Sequence, residues 1–228
     1  MNIVVIGSGS GLGREIVNIL KEKHNVISFS SKDAEGENLN FIDLNNFSQE
    51  DFENKLLNIK NIDEVYYLSN LSEYKKFDSI DQEKFQKFIN FNFLNFCLLV
   101  QSVLKVNKKI HLKIILSHIN FMYNKGFSLY KAQKIFQKNL LDNLQIEFPE
   151  IKVSYFYPGA MDTDFVKNNN YSGLSLFKKQ SPHLVAKKII NNNSYSKFSD
   201  LIIHLIYKII PSSFLIRAYK KLFKYFER

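Results

Sequence analysis

The chain is poor in the residues that build cross-linked, metal-held or extended structures. Its single cysteine, Cys97, excludes an internal disulfide and a cysteine-based zinc site, and fits a reducing compartment. Eight glycines and four prolines in 228 residues exclude collagen-like and low-complexity sequence, while 45% hydrophobic and 14% aromatic content excludes a disordered chain. Long apolar runs are also lacking. The longest nearly uncharged one, Leu201–Ile210, contains His204 and Lys208 and is about half of the ~20 residues a bilayer span requires, so no transmembrane helix is predicted. The opening Met1-Asn2-Ile3-Val4-Val5-Ile6-Gly7 lacks the basic start and long apolar centre of a signal peptide, and reads as a strand running into a glycine turn. What the chain has in excess is positive charge. Lys+Arg 31 against Asp+Glu 22 gives +9, so nucleic acid, an anionic membrane surface and a phosphorylated substrate are partner classes to weigh.

Short β-rich runs alternate with helix-period segments through residue 160, the pattern of repeated βαβ units. Strands are predicted near 2–6, 25–29, 39–42, 63–68, 111–117 and 151–157. Helices are predicted near 12–22, 48–59, 83–106 and 128–147. Another helix is predicted over 182–190, with Ser181 as its cap and Pro182 in its first position. The strands at Val65-Tyr66-Tyr67-Leu68 and Ile114-Ile115-Leu116 are apolar enough for burial on both faces. The fold class is therefore α/β, a doubly wound parallel sheet with helices on both faces. No Gly/Ser linker or fixed-period repeat marks a boundary. One folded body is expected over residues 1–195, followed by an extension over 196–228 that is not an independent domain.

Gly7-Ser8-Gly9-Ser10-Gly11-Leu12-Gly13 lies between the first strand and first helix, where the pyrophosphate of a dinucleotide is held in such sheets. Glycines let the backbone approach the phosphates, which meet free N–H groups and the positive end of the helix dipole. A tight βα turn without a ligand has the same spacing. Candidate contacts are Gly7, Ser8, Ser10, Gly11, Leu12 and Gly13. At the end of the second strand, Ser30, Ser31 and Lys32 replace the carboxylate that would bind a ribose diol and repel a 2′-phosphate. This favours NADP(H) over NAD(H), with Asp33 near enough to leave the choice open. Asp43, after the third strand, is placed to accept from an adenine amino group or to cap the next helix.

Tyr130 and Lys134 stand at i and i+4 on a predicted helix, one turn apart on one face. A nearby ammonium favours the phenolate and would bring the tyrosine pKa down from ~10 towards the working range. Ser117, thirteen residues earlier, ends a strand, and strand ends line the ligand crevice in these sheets. With these residues the chain resembles the short-chain dehydrogenase/reductases, whose Gly-x-x-x-Gly-x-Gly turn is matched by Gly7, Gly11 and Gly13 and whose Tyr-x-x-x-Lys by Tyr130 and Lys134. Asn92 falls at the family's helix asparagine, and Pro158-Gly159-Ala160-Met161-Asp162-Thr163 is similar to its Pro-Gly-x-x-x-Thr segment.

The resemblance covers roughly residues 2–190 and implies a Rossmann fold that transfers a hydride between a nicotinamide and a carbonyl carbon. It assigns Tyr130 as general acid or base, Ser117 to the substrate oxygen, Lys134 to the tyrosine and the nicotinamide ribose, and Asn92 to a water in a proton relay. Pro158, Gly159 and Thr163 would contact the nicotinamide. It also implies a homo-oligomer, a dimer or tetramer, in which the helices near 83–106 and 128–147 pair across a two-fold axis. Phe91, Phe93 and Phe96 could equally pack inside one subunit. The chain departs from the pattern at Ile6, where Thr is usual, at Tyr67-Leu68-Ser69-Asn70, where Asn-Asn-Ala-Gly is usual, and at His118, where a small residue is frequent. Residues 164–181, including Tyr171 and Phe177, are expected to form a loop over an unidentified carbonyl or alcohol substrate, lipid-linked or anionic among the choices. The competing function is a nucleotide-binding sensor or scaffold of the same fold without turnover.

The charge is not spread evenly. Residues 1–177 hold 20 basic and 20 acidic residues, whereas 178–228 hold eleven basic residues against Asp200 and Glu227. Arg217, Lys220, Lys221 and Lys224 make one stripe of a predicted helix, and Phe214, Leu215, Ile216, Tyr219, Leu222, Phe223 and Phe226 fill much of the remaining arc. In Leu201–Ile210, His204 and Lys208 are expected on one side with the aliphatics opposite. Such segments lie in a membrane interface, pack on the protein's own core or pack on a second subunit, and residues 201–226 leave all three open. Without a recognised binding module, nucleic acid is not expected as a partner. The expected location is the cytoplasm, with a peripheral contact at the membrane surface as one outcome.

Overall fold

The computed structural model describes residues 1–30, 39–44, 46–163 and 179–226, with the backbone alone described for 39–41 and 222–226. Six strands, β1 (Asn2–Ile6), β2 (Asn25–Ser30), β3 (Leu39–Phe41), β4 (Ile62–Tyr67), β5 (His111–Ile115) and β6 (Lys152–Phe156), form one parallel sheet. Their order is β3-β2-β1-β4-β5-β6, so the winding direction reverses between β1 and β4. Ile3, Val4, Val5 and Ile6 are at most 1% exposed, as a strand covered on both faces requires.

One face of the sheet is covered by α1 (Gly11–Leu20) and α6 (Pro182–Ile190), through Leu12, Ile16, Leu20, Val185 and Ile189 against Ile3 and Val5. The other is covered by α2 (Gln49–Leu57), α4 (Asn95–Val106) and α5 (Ser128–Glu147), through Phe52, Leu56, Phe96, Leu99 and Leu141 against Val4 and Ile6. Two further helices, α7 (Phe198–Ile209) and α8 (Ser212–Phe226), follow. Among the described residues, one charged side chain of the sheet is buried. Lys113 of β5 is 3% exposed, bonded to Glu64 on β4 at 3.0 Å and to the Tyr66 hydroxyl at 3.0 Å. The neighbouring cation and His111 hold the Glu64 carboxyl down at about 2 despite the opposing effect of burial.

The structure corrects several local expectations. The helix predicted over 83–106 is α3 (Gln82–Ile89), a π-helical turn over Asn90–Leu94, then α4. By length and composition Gln82–Val106 would cross a membrane, but Phe88, Phe91, Phe96, Leu99 and Val103 are buried in the protein. Of the phenylalanines left open between a subunit interface and the subunit's own core, Phe91 and Phe96 are buried in the core and Phe93 packs on Phe136 at 4.7 Å. Ser48 caps α2 by accepting from Asp51 N–H, so Asp43 is not its cap and instead accepts from Asn46 at 3.0 Å. Ser181 makes no side-chain cap on α6, which relies on Pro182 in its first turn. On α7, His204 turns inward and stacks on Phe121 at 4.0 Å, while Lys208 is exposed. The aliphatics therefore occupy both sides of that helix.

Candidate active site

The turn after β1, the turn after β5 and the segment after β6 all leave the same, C-terminal edge of the sheet, beside the switch between β1 and β4. At the first, Gly7 N–H and Ser8 N–H donate to Phe29 O at 2.9 and 3.2 Å, and the Ser8 hydroxyl donates to the same carbonyl at 3.0 Å. Ser8 therefore ties the turn to β2. Gly7 has φ +94°, and a Cβ there would lie 2.6 Å from Ser69 N. Gly11 has φ +52°, and a Cβ there would lie 3.2 Å from the Thr163 methyl, so the Pro158–Thr163 segment closes over the start of α1.

The turn fits a dinucleotide pyrophosphate. Ser10 precedes α1 with no side-chain cap, no acidic residue occupies the first turn, and Leu12 and Gly13 are buried beneath it. The Arg14 guanidinium donates to Gly9 O at 2.7 Å and adds a cation beside the loop. Ser30 is 2% exposed at the end of β2, and Ser31 and Lys32 lie outside the described residues. Asn70, one of the unusual residues after β4, is half-buried, with both amide atoms shielded and unbonded among the described residues, a polar group available to a bound nucleotide.

Ser117 and Tyr130 come together, the serine side chain near enough to lower the pKa of the phenol, although thirteen residues and the turn His118–Phe121 separate them. Ser117 also accepts from Ile119 N–H at 3.3 Å, which fixes its rotamer. Lys134, a turn further along α5, is 2% exposed and lies 5.8 Å from the Tyr130 ring centre. Its ammonium donates to Ile115 O at 3.0 Å and faces Gln137 Oε1 at 3.4 Å. The expected lowering of the tyrosine pKa is not what this geometry produces. Burial pushes Tyr130 up to about 12 against the lowering influence of the Ser117 side chain, and burial brings Lys134 down to about 7. Both groups are so deeply desolvated that each is driven towards its neutral form.

Asn92 is wholly buried within the π-helical turn. Its amide donates to Leu71 O at 2.8 Å and accepts from Leu71 N–H at 3.0 Å, so the side chain is taken up in holding the chain after β4. His118 is buried against Pro158, with Nδ1 3.2 Å from the Pro158 carbonyl, and burial holds its pKa low. It braces the Pro158–Gly159 strand end. Gly159 N–H donates to Ser196 Oγ at 3.2 Å, and Ser196 donates to the buried Asp200 carboxylate at 3.0 Å. The Pro158–Gly159 segment is thereby fastened to the start of α7. Tyr171 and Phe177 lie outside the described residues.

Sequence reasoning missed the wall around Tyr130. Tyr74 packs 4.6 Å from Phe127 and 5.5 Å from Tyr130, and Ile203 of α7 and Tyr219 of α8 pack against the same cluster. It also missed Gln133 and Gln137, both wholly buried on the Lys134 face of α5. Their spacing from Lys134 was visible, but only burial distinguishes them from solvent-facing glutamines.

The family model for short chain dehydrogenases matches residues 1–172. No curated protein matches the chain. Among solved structures, a short chain dehydrogenase from Burkholderia cenocepacia J2315 in complex with NADP is 14% identical, with 95% of this chain and 96% of that one covered and a TM-score of 0.79. A short chain dehydrogenase family protein from Francisella tularensis is 21% identical, with 85% and 90% covered and a TM-score of 0.70. An alcohol dehydrogenase from the archaeon Thermococcus sibiricus, complexed with 5-hydroxy-NADP, is 18% identical, with 82% and 88% covered and a TM-score of 0.69. With this sheet order, glycine turn and family match, the chain belongs to the short-chain dehydrogenase family of NAD(P)-dependent oxidoreductases.

Proposed function

We propose that the protein reduces a carbonyl compound to an alcohol with NADPH, using Tyr130 as proton donor, Ser117 to position the substrate oxygen and Lys134 to manage the charge left on the phenol. The juxtaposition of Ser117 and Tyr130 at the C-terminal sheet edge, with Lys134 buried behind them, carries this reading. NADPH would supply the hydride that goes to the carbonyl carbon. A phenol near 12 is fully protonated at neutral pH, so Tyr130 donates to the carbonyl oxygen and gives up its proton as negative charge develops there. Ser117 donates to the same oxygen and fixes its distance from the phenol. Lys134, close to half charged at neutral pH, stabilises the phenolate electrostatically and returns a proton to it. Asn92 acts through Leu71, holding the loop that carries Tyr74. Tyr74, Phe127, Ile203 and Tyr219 keep water from the phenol and suit a substrate with apolar bulk beside its carbonyl.

The adenosine end would meet Asp43 and Ser30 with Ser31 and Lys32, a set without a carboxylate at the strand end, which favours NADPH over NADH. Pro158, Gly159 and Thr163 would border the nicotinamide. NADP is named with the Burkholderia cenocepacia structure, in support of the same choice. A half-buried lone thiol and this cofactor suit a cytoplasmic enzyme, and Leu94 and Ile146, both exposed on the long helices, suit association of subunits there. Fluorescence titration with each reduced nucleotide tests the cofactor assignment. NADPH is expected to bind at least about tenfold more tightly, and a clear NADH preference would overturn the role given to Ser30, Ser31 and Lys32.

A further inference from the structure

The two C-terminal helices are apolar on more sides than the body of the protein covers. On α7, Ile203, His204 and Tyr207 face inward, His204 and Tyr207 against Phe121 and Ile203 against the cluster around Tyr130. The opposite side carries Phe198, Ile202, Leu205, Ile206 and Ile209, which are 76%, 41%, 49%, 44% and 79% exposed. Their spacing of i, i+4, i+7, i+8 and i+11 is a single stripe. Just beyond Pro211, Phe214 is 63% exposed, and on α8 Arg217, Lys220 and Lys221 are exposed while Tyr219 turns in against Tyr123 at 5.9 Å. Single exposed aliphatics are ordinary, but an aliphatic stripe on one helix followed by a cationic face on the next marks a contact surface.

Charge decides between its possible occupants. The whole +9 of the chain resides in residues 178–228. A second copy seated there would bring the same cationic excess against itself, whereas anionic headgroups would neutralise it. We propose that residues 198–221 dock this protein onto anionic lipid bilayers, with the α7 stripe and Phe214 in the interface and Arg217, Lys220 and Lys221 among the headgroups. The contact is peripheral, since α7 has 12 residues and a span needs ~20. The same two helices supply Ile203 and Tyr219 to the wall around Tyr130, so the lipid contact lies one helix thickness from the candidate site. This inference goes beyond the catalytic reading and stands whether or not Tyr130 turns over a substrate.

The chain has no tryptophan, so Ile209→Trp provides a single fluorescent reporter on the stripe, and Leu57→Trp, at an exposed position on α2, provides a control. On adding vesicles of phosphatidylcholine mixed with phosphatidylglycerol, the Ile209→Trp emission should shift to the blue and the Leu57→Trp emission should not. Adding Lys220→Glu and Lys221→Glu should weaken vesicle binding about tenfold or more, as should raised salt. Co-flotation of the unsubstituted full chain with the same vesicles is the reporter-free check, and should occur with the mixed vesicles but far less with phosphatidylcholine alone. The proposal fails if neither emission shift nor co-flotation occurs, or if binding is equal on phosphatidylcholine alone. A shift that grows with protein concentration in vesicle-free buffer would assign the face to a second copy and overturn it as well.

Discussion

The sheet body and the C-terminal helix pair use the same residue types in opposite ways. In the body, Lys134 and Lys113 are buried, one against a backbone carbonyl and a glutamine and the other against Glu64 and Tyr66. In the helix pair, Lys208, Arg217, Lys220 and Lys221 are exposed. Isoleucine divides the same way, with Ile3 and Ile16 wholly buried and Ile209 79% exposed. In the body desolvation shifts protonation, pushing the Tyr130 phenol up and bringing the Lys134 ammonium down. Exposure gives the helix pair its adhesiveness. Removing a cation should therefore change turnover and stability in the first region and surface binding in the second.

The largest expected effect is at Tyr130. Tyr130→Phe keeps the ring packing against Tyr74 and Phe127 and removes the proton, so turnover should fall about 10²–10⁴-fold with NADPH affinity unchanged, measured by steady-state kinetics and titration. Next is the buried ion pair. Lys113→Met leaves Glu64 without its main cation and should cost about 3–5 kcal/mol in denaturant unfolding. Because Glu64 is lowered in the fold, its stabilising contribution is present above its unfolded value of 4.5 and is lost as the pH falls through about 2. Glu64→Gln should flatten acid unfolding in that window.

Lys134 sharpens the comparison by separating function from stability. Its pKa drops from 10.5 in the unfolded chain to about 7 in the fold, so between those values the unfolded state holds the extra proton and stability rises with pH. Lys134→Met should therefore be more stable than the parent below pH 7, with the gain shrinking towards pH 10.5, while carbonyl reduction is largely lost. Thermal melts across pH, beside turnover at each pH, check both halves. The smallest effect belongs to the seam between the regions. Asp200→Asn weakens the link from Ser196 to Gly159, and should raise the KM for NADPH several-fold with little change in kcat.

Much of the body is legible in the chain. Continuous apolar strands, the glycine turn and the thirteen-residue step from Ser117 to Tyr130 are local patterns with local consequences. The partners of those residues are not. Asn92 reaches Leu71 across 21 positions and Gly159 reaches Ser196 across 37, distances at which no sequence periodicity exists. Nor is the sign of the tyrosine shift legible, because spacing reveals a neighbouring lysine but not that both groups are stripped of water. On α7, a helix apolar around most of its circumference has no pattern that says which side faces the protein. Spacing alone sets His204 beside Lys208, whereas packing stacks it on Phe121.

The central claim is that the buried Ser117–Tyr130–Lys134 arrangement performs proton-coupled carbonyl reduction. The direct measurement follows NADPH consumption over a panel of ketones and aldehydes with the parent protein and Tyr130→Phe side by side. The parent is expected to turn over at least one carbonyl, and the variant to lose about 10²–10⁴-fold while still binding NADPH equally well. Equal NADPH binding with turnover that does not depend on Tyr130, or with no turnover of any carbonyl, would contradict it.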